Sequence, residues 1–228
     1  MYGLERYAQI ISLLKGHNRA FTRFPPGPEV APRTICLRHD IDFSIEDALR
    51  VAVLEEELEV TATYFFMLSS NMYNLLSSRN QQSVREIARR GHTISLHFDP
   101  SAHYDLDAGF AAEKQVFERT FEVPVEVVSL HRPGSFLEDN NRVLPGARHT
   151  YQDEYIRDMH YLSDSAGRDI QSKIEEAAPL SKPLHLLIHL IWWTINSGSA
   201  NATLLDWLDR NNSFLFSETR RNCRTFTG

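Results

Sequence analysis

Residues Thr34–Ser44 read TICLRHDIDFS, a β-branched and apolar run that ends in two carboxylates one residue apart. A strand has a side-chain period of two, so Asp40 and Asp42 project to the same side at its end. Two like charges held that close are unfavourable unless a cation or a shared proton compensates them. A D-x-D at a strand terminus therefore points to a metal site or to a carboxylate pair with split proton affinities. Ser44 and Asp47 also have the spacing of a capping box, which places a helix start directly after the strand.

Outward from this stretch, apolar periodicity alternates between two and about three and a half. Leu4, Tyr7, Ile11 and Leu14 share a helical face that Gly16 can end, and the proline-rich Arg23–Arg33 segment, RFPPGPEVAPR, reads as a loop. After Thr34–Asp40, Ile45, Ala48, Leu49, Ala52 and Val53 give an amphipathic helix, and Thr61–Phe66 (TATYFF) a strand. Ser83-x-x-Glu86 reads as the cap of a helix ending at Gly91. Thr93–His97, Val125–His131 and Leu184–Leu190 are further strands, with a short one possible at Met159–Leu162. Helices fall over Leu106–Phe121 and near Leu204, Trp207 and Leu208, while Leu137–Ile156 takes no assignment.

Strands alternating with helices define βα units and a parallel sheet. The expected fold class is α/β, a distorted βα barrel of about seven strands, TIM-like, in one domain over residues 1–228. Within it, 1–33 is an N-terminal helix and proline-rich loop, 34–193 the core, and 194–228 a C-terminal helix and tail.

Composition narrows the function. The 228 residues carry a net charge of −6, against a nucleic-acid or anionic-membrane footprint. Two cysteines, Cys36 and Cys223, make neither a disulfide framework nor a zinc ribbon. No apolar run approaches the ~20 residues of a membrane span. The first residues, MYGLERYAQIISLLKG, lack the basic and apolar regions of a signal peptide, so a cytoplasmic location is expected.

Polar residues sit where the strands end: Asp40 and Asp42 at the first, His97 at the third, His131 at the fourth, His189 at the last. In βα barrels these ends form the active-site face. Asp42 and His97 have the donor types of a divalent metal site such as zinc. The third donor is open between His103, beyond Pro100, and His131, which needs no loop excursion. Arg132, in the turn after His131, can clamp Asp40 bidentately. His189, in an apolar strand, needs a partner and is a candidate general acid. Trp192 and Trp193 could wall a sugar pocket. Asp164 could orient His189 or Arg132, or simply cap a turn.

These residues resemble the polysaccharide deacetylase superfamily (NodB homology, carbohydrate esterase family 4), most of all the subgroup encoded with O-antigen and capsule biosynthesis genes. The resemblance runs from about Thr34 to Trp193. LRHDID matches the first motif, which implies Asp40 as catalytic base and Asp42 as metal ligand. GHTISLHFDPSAH matches the second through His97, Arg132-Pro133 the third, and LLIH the last, implying His189 as the acid. The family's second histidine would fall at Ser101, which leaves His103 or His131 to complete the ligand set. The resemblance implies a metal-dependent hydrolase, with zinc the expected cofactor, that removes an acetyl or other acyl group from an amino sugar or glycan. The expected partner is that acylated sugar. Two alternatives remain: a catalytically inactive barrel that binds glycan or a biosynthetic partner, and a metal-dependent amidohydrolase acting on a non-sugar amide.

Overall fold

The strand Thr34–Ile41 is buried along its whole length, and the other elements are arranged around it. In the computed structural model, which describes residues 3–24, 30–139, 142–195 and 197–227, the chain opens with α1 (Leu4–Gly16) and β1 (Ala20–Thr22). Then come β2 (Thr34–Ile41), α2 (Ile45–Glu57), β3 (Thr63–Phe66), α3 (Ser78–Arg89), β4 (Thr93–Phe98), α4 (Leu106–Phe121) and β5 (Val127–Leu130). β6 (Arg148–His149), α5 (Asp153–Ile156), β7 (His160–Ser163), α6 (Gln171–Ala177), β8 (Leu184–Ile188), α7 (Ile191–Thr194) and α8 (Ala200–Asn222) complete it. The middle of the expected proline-rich loop, residues 25–29, lies outside the described residues.

The sheet is parallel, in the order β6-β5-β4-β3-β2-β8-β7, with β1 added beside the first residues of β2. Curled, it forms a half-barrel in which β6 and β7 are the two edges among the described residues, so the expected βα barrel is present and incompletely closed. All strands point the same way, and their C-terminal ends therefore share one mouth.

Alternation along β2 divides the interior in two. Ile35, Leu37 and Ile41 join the large apolar layer with Tyr7, Ile11 and Leu14 of α1 and Ala48, Val51 and Ala52 of α2. Cys36 lies with Phe24, Phe65, Val127, Tyr155 and Met159 in a second cluster that fills the barrel interior. Next along β2, Arg38 and Asp40 are buried and bonded to each other, while His39 between them bonds to groups of the helix layer.

The elements depart from sequence expectation at three places. The helix before Gly91 begins at Ser78 with Ser77 as its cap, so Ser83 lies inside it, because Ser77 Oγ is the group that accepts from the Asn80 amide. The unassigned Leu137–Ile156 region holds a 3₁₀ turn, the two-residue β6 and the short α5, all too brief for periodicity to reveal. α8 runs far beyond the Leu204–Leu208 face that signals it. Among the described residues no helix is long and apolar enough to cross a membrane.

The helix layer contains its own ionic knot. The fully buried Glu55 of α2 accepts from the hydroxyls of Tyr7 and Tyr64, the latter at 2.6 Å, and from His39 Nε2 at 2.8 Å. His92 Nδ1 lies 3.6 Å from the second carboxylate oxygen. Burial alone would raise the Glu55 pKa. The charges of His39 and His92, with hydrogen bonds from His39 and Tyr64, outweigh burial and lower it. Burial lowers the His92 pKa.

Both shifts bear on acid stability. A group more acidic in the folded than in the unfolded state stabilises fully above its unfolded pKa, and that stabilisation is lost as pH falls. Stability should therefore decline on acidification below the ordinary histidine value of 6.5 and again below the ordinary glutamate value of 4.5. Glu55→Gln places an amide among donors and breaks the buried pair, and should cost about 3–5 kcal/mol. Urea titration at neutral pH measures that loss. The glutamate limb of the pH dependence should be absent from the variant.

Candidate functional site

The site starts inside the barrel with an arginine. Arg38 and Asp40 are two residues apart on one face of β2, and Arg38 grips both carboxylate oxygens, Nε to Oδ1 at 2.9 Å and Nη2 to Oδ2 at 2.7 Å. The guanidinium is fully buried. It also donates to Ser129 Oγ at 2.6 Å and to Tyr151 Oη at 3.3 Å, and stands over the Tyr151 ring. His185 Nδ1 donates to the Tyr155 carbonyl, which leaves Nε2, 3.5 Å from Arg38 Nη1, as an acceptor. Burial and the Arg38 charge push His185 down to about 3, so it is neutral. Burial alone would raise Asp40, but the Arg38 charge and hydrogen bonds, with the charges of His97 and His189, bring it down to about 2. Asp40 is thus ionised throughout the physiological range.

This arrangement corrects the expectation that Arg132 holds the base. Arg132 is exposed in the turn after β5, with a left-handed φ of 42°, and the residue that grips Asp40 is Arg38. Sequence did carry a signal: an arginine two residues before an aspartate in one strand must share its face.

At the mouth, Asp42 follows β2, His97 belongs to β4, and His131 follows β5. His97 Nε2 is 3.1 Å from Asp42 Oδ1, His131 Nδ1 is 3.3 Å from the same oxygen, and the two ring nitrogens are 3.3 Å apart. Donors about 2.0–2.2 Å from one ion, at tetrahedral or octahedral angles, stand roughly 3.0–3.5 Å from one another. The three separations fall in that range, and one hard oxygen with two imidazoles suits a zinc-like divalent ion. Burial raises the Asp42 pKa less than the hydrogen bonds from His131 and His97 lower it, so it too is ionised.

His103, the other candidate third donor, is elsewhere. It hydrogen-bonds Glu113 at 2.8 Å, stacks on Phe98, and lies so close to α4 that a Cβ at Gly109 would come within 2.3 Å of its ring. Glu113 also accepts from Ser69 at 2.5 Å, so this cluster ties the loop after β3 to the loop after β4. Ser101 is likewise occupied, donating its hydroxyl and its amide to Asp99.

The third group at the mouth is His189, directly after β8. Its Nδ1 is 2.7 Å from Asp164 Oδ1, and its Nε2 is 4.0 Å from Asp42 Oδ2. Asp164 is wholly buried and also accepts from the His189 amide and from Trp193 Nε1 at 2.7 Å. Burial works against the charged imidazole, but the Asp164 hydrogen bond and the charges of Asp164, Asp40 and Asp42 raise His189 to about 9. Asp164 therefore lies behind His189, bonded to its ring and its amide. The two tryptophans are buried in the core, Trp193 as a donor to Asp164, and neither forms an open wall as expected from sequence. A cleft lined by Asp40, Asp42, Phe43, Asp47, His189 and Ile191 opens at the mouth.

No family model matches the chain, and a search of curated proteins finds no match. Among solved structures, the chitin deacetylase of the fungal pathogen Colletotrichum lindemuthianum is 14% identical with a TM-score of 0.48, over 80% of this chain and 84% of that one. The catalytic domain of peptidoglycan N-acetylglucosamine deacetylase from Eubacterium rectale is 15% identical with a TM-score of 0.47, over 81% and 86%. A CE4 family pseudoenzyme from Bacillus anthracis is 11% identical with a TM-score of 0.44, over 83% and 66%. These likenesses are distant, and the chemistry of the mouth rests on its own geometry.

Proposed function

We propose that the chain is a metal-dependent hydrolase that removes an acetyl or other acyl group from an amino sugar or glycan intermediate. The observation that carries this reading is the convergence at one mouth of a three-donor cluster, an ionised aspartate and a carboxylate-backed histidine. Asp42, His97 and His131 would hold a divalent ion, zinc by donor type. When bound, such an ion supplies Lewis acidity toward a water and the acyl carbonyl.

Asp40 is the general base. Arg38 keeps it ionised and immobile, with Oδ2 3.8 Å from His97 Nε2 and so beside the ligand cluster. Its low proton affinity suits a base that takes a proton only from an acidified water. His189 is the general acid. Asp164 fixes Nδ1 and raises the proton affinity of the ring, leaving Nε2 to protonate the departing amine or alcohol. The sugar character of the substrate follows from the motifs shared with the deacetylases, as does a place in cell-surface polysaccharide biosynthesis. A cytoplasmic location would favour a nucleotide-linked or lipid-linked intermediate over a finished polymer.

A second reading is favoured by Ser101, which stands where the family pattern has a ligand histidine: an inactive barrel that binds glycan. Metal content separates the two, because an inactive site built around Ser101 should hold little metal, whereas the His131-completed site should hold one ion per chain.

Variants divide the roles. Asp42→Asn and His131→Ala should lose metal and turnover together. Asp40→Asn should keep the metal and lose on the order of 10²–10⁴ in rate on an acetylated amino sugar. Arg132→Ala should leave turnover unchanged while Arg38→Lys reduces it, since lysine cannot grip both oxygens. Metal retained in Asp42→Asn, or full turnover in Asp40→Asn, would overturn the assignment.

The acid is tested separately. Asp164→Asn should lower kcat with metal content intact, because the amide neither fixes the Nδ1 proton nor stabilises the imidazolium. Trp193→Phe, which removes one donor to Asp164 and keeps the carboxylate, should have a smaller effect. Equal losses in both would indicate repacking of the core and remove Asp164 from this role.

A further inference from the structure

The three donors at the mouth do not all come from neighbouring strands. His97 and His131 belong to the ends of β4 and β5, which are paired through Phe98 and Leu130. The His131 amide extends that pairing by donating to the Phe98 carbonyl at 2.7 Å. The two imidazoles are therefore set against each other by a continuous ladder. Asp42 follows β2, and β3, which supplies none of the three donors, lies between β2 and β4. With about 4.8 Å between neighbouring strands, the carboxylate starts nearly two strand widths from His97. Where it falls depends on how β2 and β3 part as they end.

A tyrosine hydroxyl stands at that point. The last paired residues of β2 and β3 are Ile41 and Phe66. Just beyond them, Tyr73 Oη accepts from the Met67 amide at 2.8 Å and donates to the Ile41 carbonyl at 2.6 Å. Burial raises the Tyr73 pKa, so the donated proton stays on the oxygen. The Ile41 carbonyl belongs to the peptide that leads into Asp42. On the far side, Ser44 Oγ accepts from the Asp47 amide and fixes the start of α2. Asp42 and Phe43 thus form a two-residue span held at both ends, by Tyr73 on the strand side and Ser44 on the helix side. The loop that carries Tyr73 is itself anchored: Leu75 is buried, Ser77 caps α3, and Asn80 Nδ2 donates to the Asn74 carbonyl at 2.8 Å.

We propose that Tyr73 is a positioning residue for Asp42: its hydroxyl pins the end of β2 to the end of β3 and so sets the carboxylate beside His97 and His131. The proposal rests on the reading of these three residues as a metal site. Both partners of the hydroxyl are backbone groups, so Tyr73 acts through the chain and is not itself a ligand. Outer groups that orient a ligand are typically worth about 10–100-fold in metal affinity.

The zinc dissociation constant of the chelator-stripped full chain, measured by competition with a chromophoric chelator, tests this. Tyr73→Phe keeps the ring, removes the hydroxyl, and should weaken zinc binding by about 10–100-fold. Ser77→Ala removes the α3 cap from the same loop, away from the Ile41 carbonyl. It should lower the melting temperature and leave the zinc constant unchanged. A parent chain that binds no zinc would overturn the metal site and the role of Tyr73 with it. A parent that binds zinc, with Tyr73→Phe binding as tightly, would overturn the role of Tyr73 alone. Equal weakening in Tyr73→Phe and Ser77→Ala would trace the effect to a loosened loop and overturn that role too.

Discussion

Burying a guanidinium inside a barrel requires that its donors be satisfied and its charge be matched, and the Arg38–Asp40 pair meets both needs. Two carboxylate oxygens, a serine, a tyrosine and a neutral histidine surround Arg38, contributed by β2, β5, β8 and the segment after β6. The pair explains why the lumen is polar above the Phe65–Tyr155 plug. It also keeps Asp40 charged in a place from which water is nearly excluded. The charge of Asp40 in turn adds to the larger effect of Asp164 in raising His189.

β2 carries a second buried network on its other face. His39 lies between Arg38 and Asp40 in sequence, but it meets Glu55 on the helix side and its Nδ1 lies 3.1 Å from the Ile188 carbonyl. Ile188 precedes His189, and His189 is held on the other side by Asp164. The strand that presents Asp40 is therefore braced from outside by a network that also touches the strand presenting His189. Both are rigid elements, and a site whose groups come from strand ends is held more exactly than one built on loops.

His131 joins Asp42 and His97 from a different strand end. A ligand supplied from the loop after β4 would have to fold back over the mouth. In this chain that loop is tied down instead, through His103 and Glu113 against α4, with Gly109 leaving room for the imidazole ring. His131 arrives from the end of β5 with no excursion. His131, after β5 and beside β4, comes within 3.3 Å of His97, because neighbouring strands in a parallel sheet lie about 4.8 Å apart.

The sequence by itself determined the alternation of strands and helices, the parallel sheet, the common mouth and the presence there of Asp40, Asp42, His97, His131 and His189. All of these follow from local periodicity and from the rule that parallel strand ends face one way. Only the tertiary structure decided which groups touch. It chose Arg38 over Arg132, because a strand arginine points into the lumen whereas the turn arginine is exposed. It chose His131 over His103, because helix packing at Gly109 draws the loop away. It buried Trp193 behind His189 instead of in a sugar wall, and between His189, Arg132 and a plain turn it gave Asp164 to His189, because an apolar face continues into α7 and buries both. Spacing along a chain states which residues share a face. What lies opposite that face is set by elements far away in sequence.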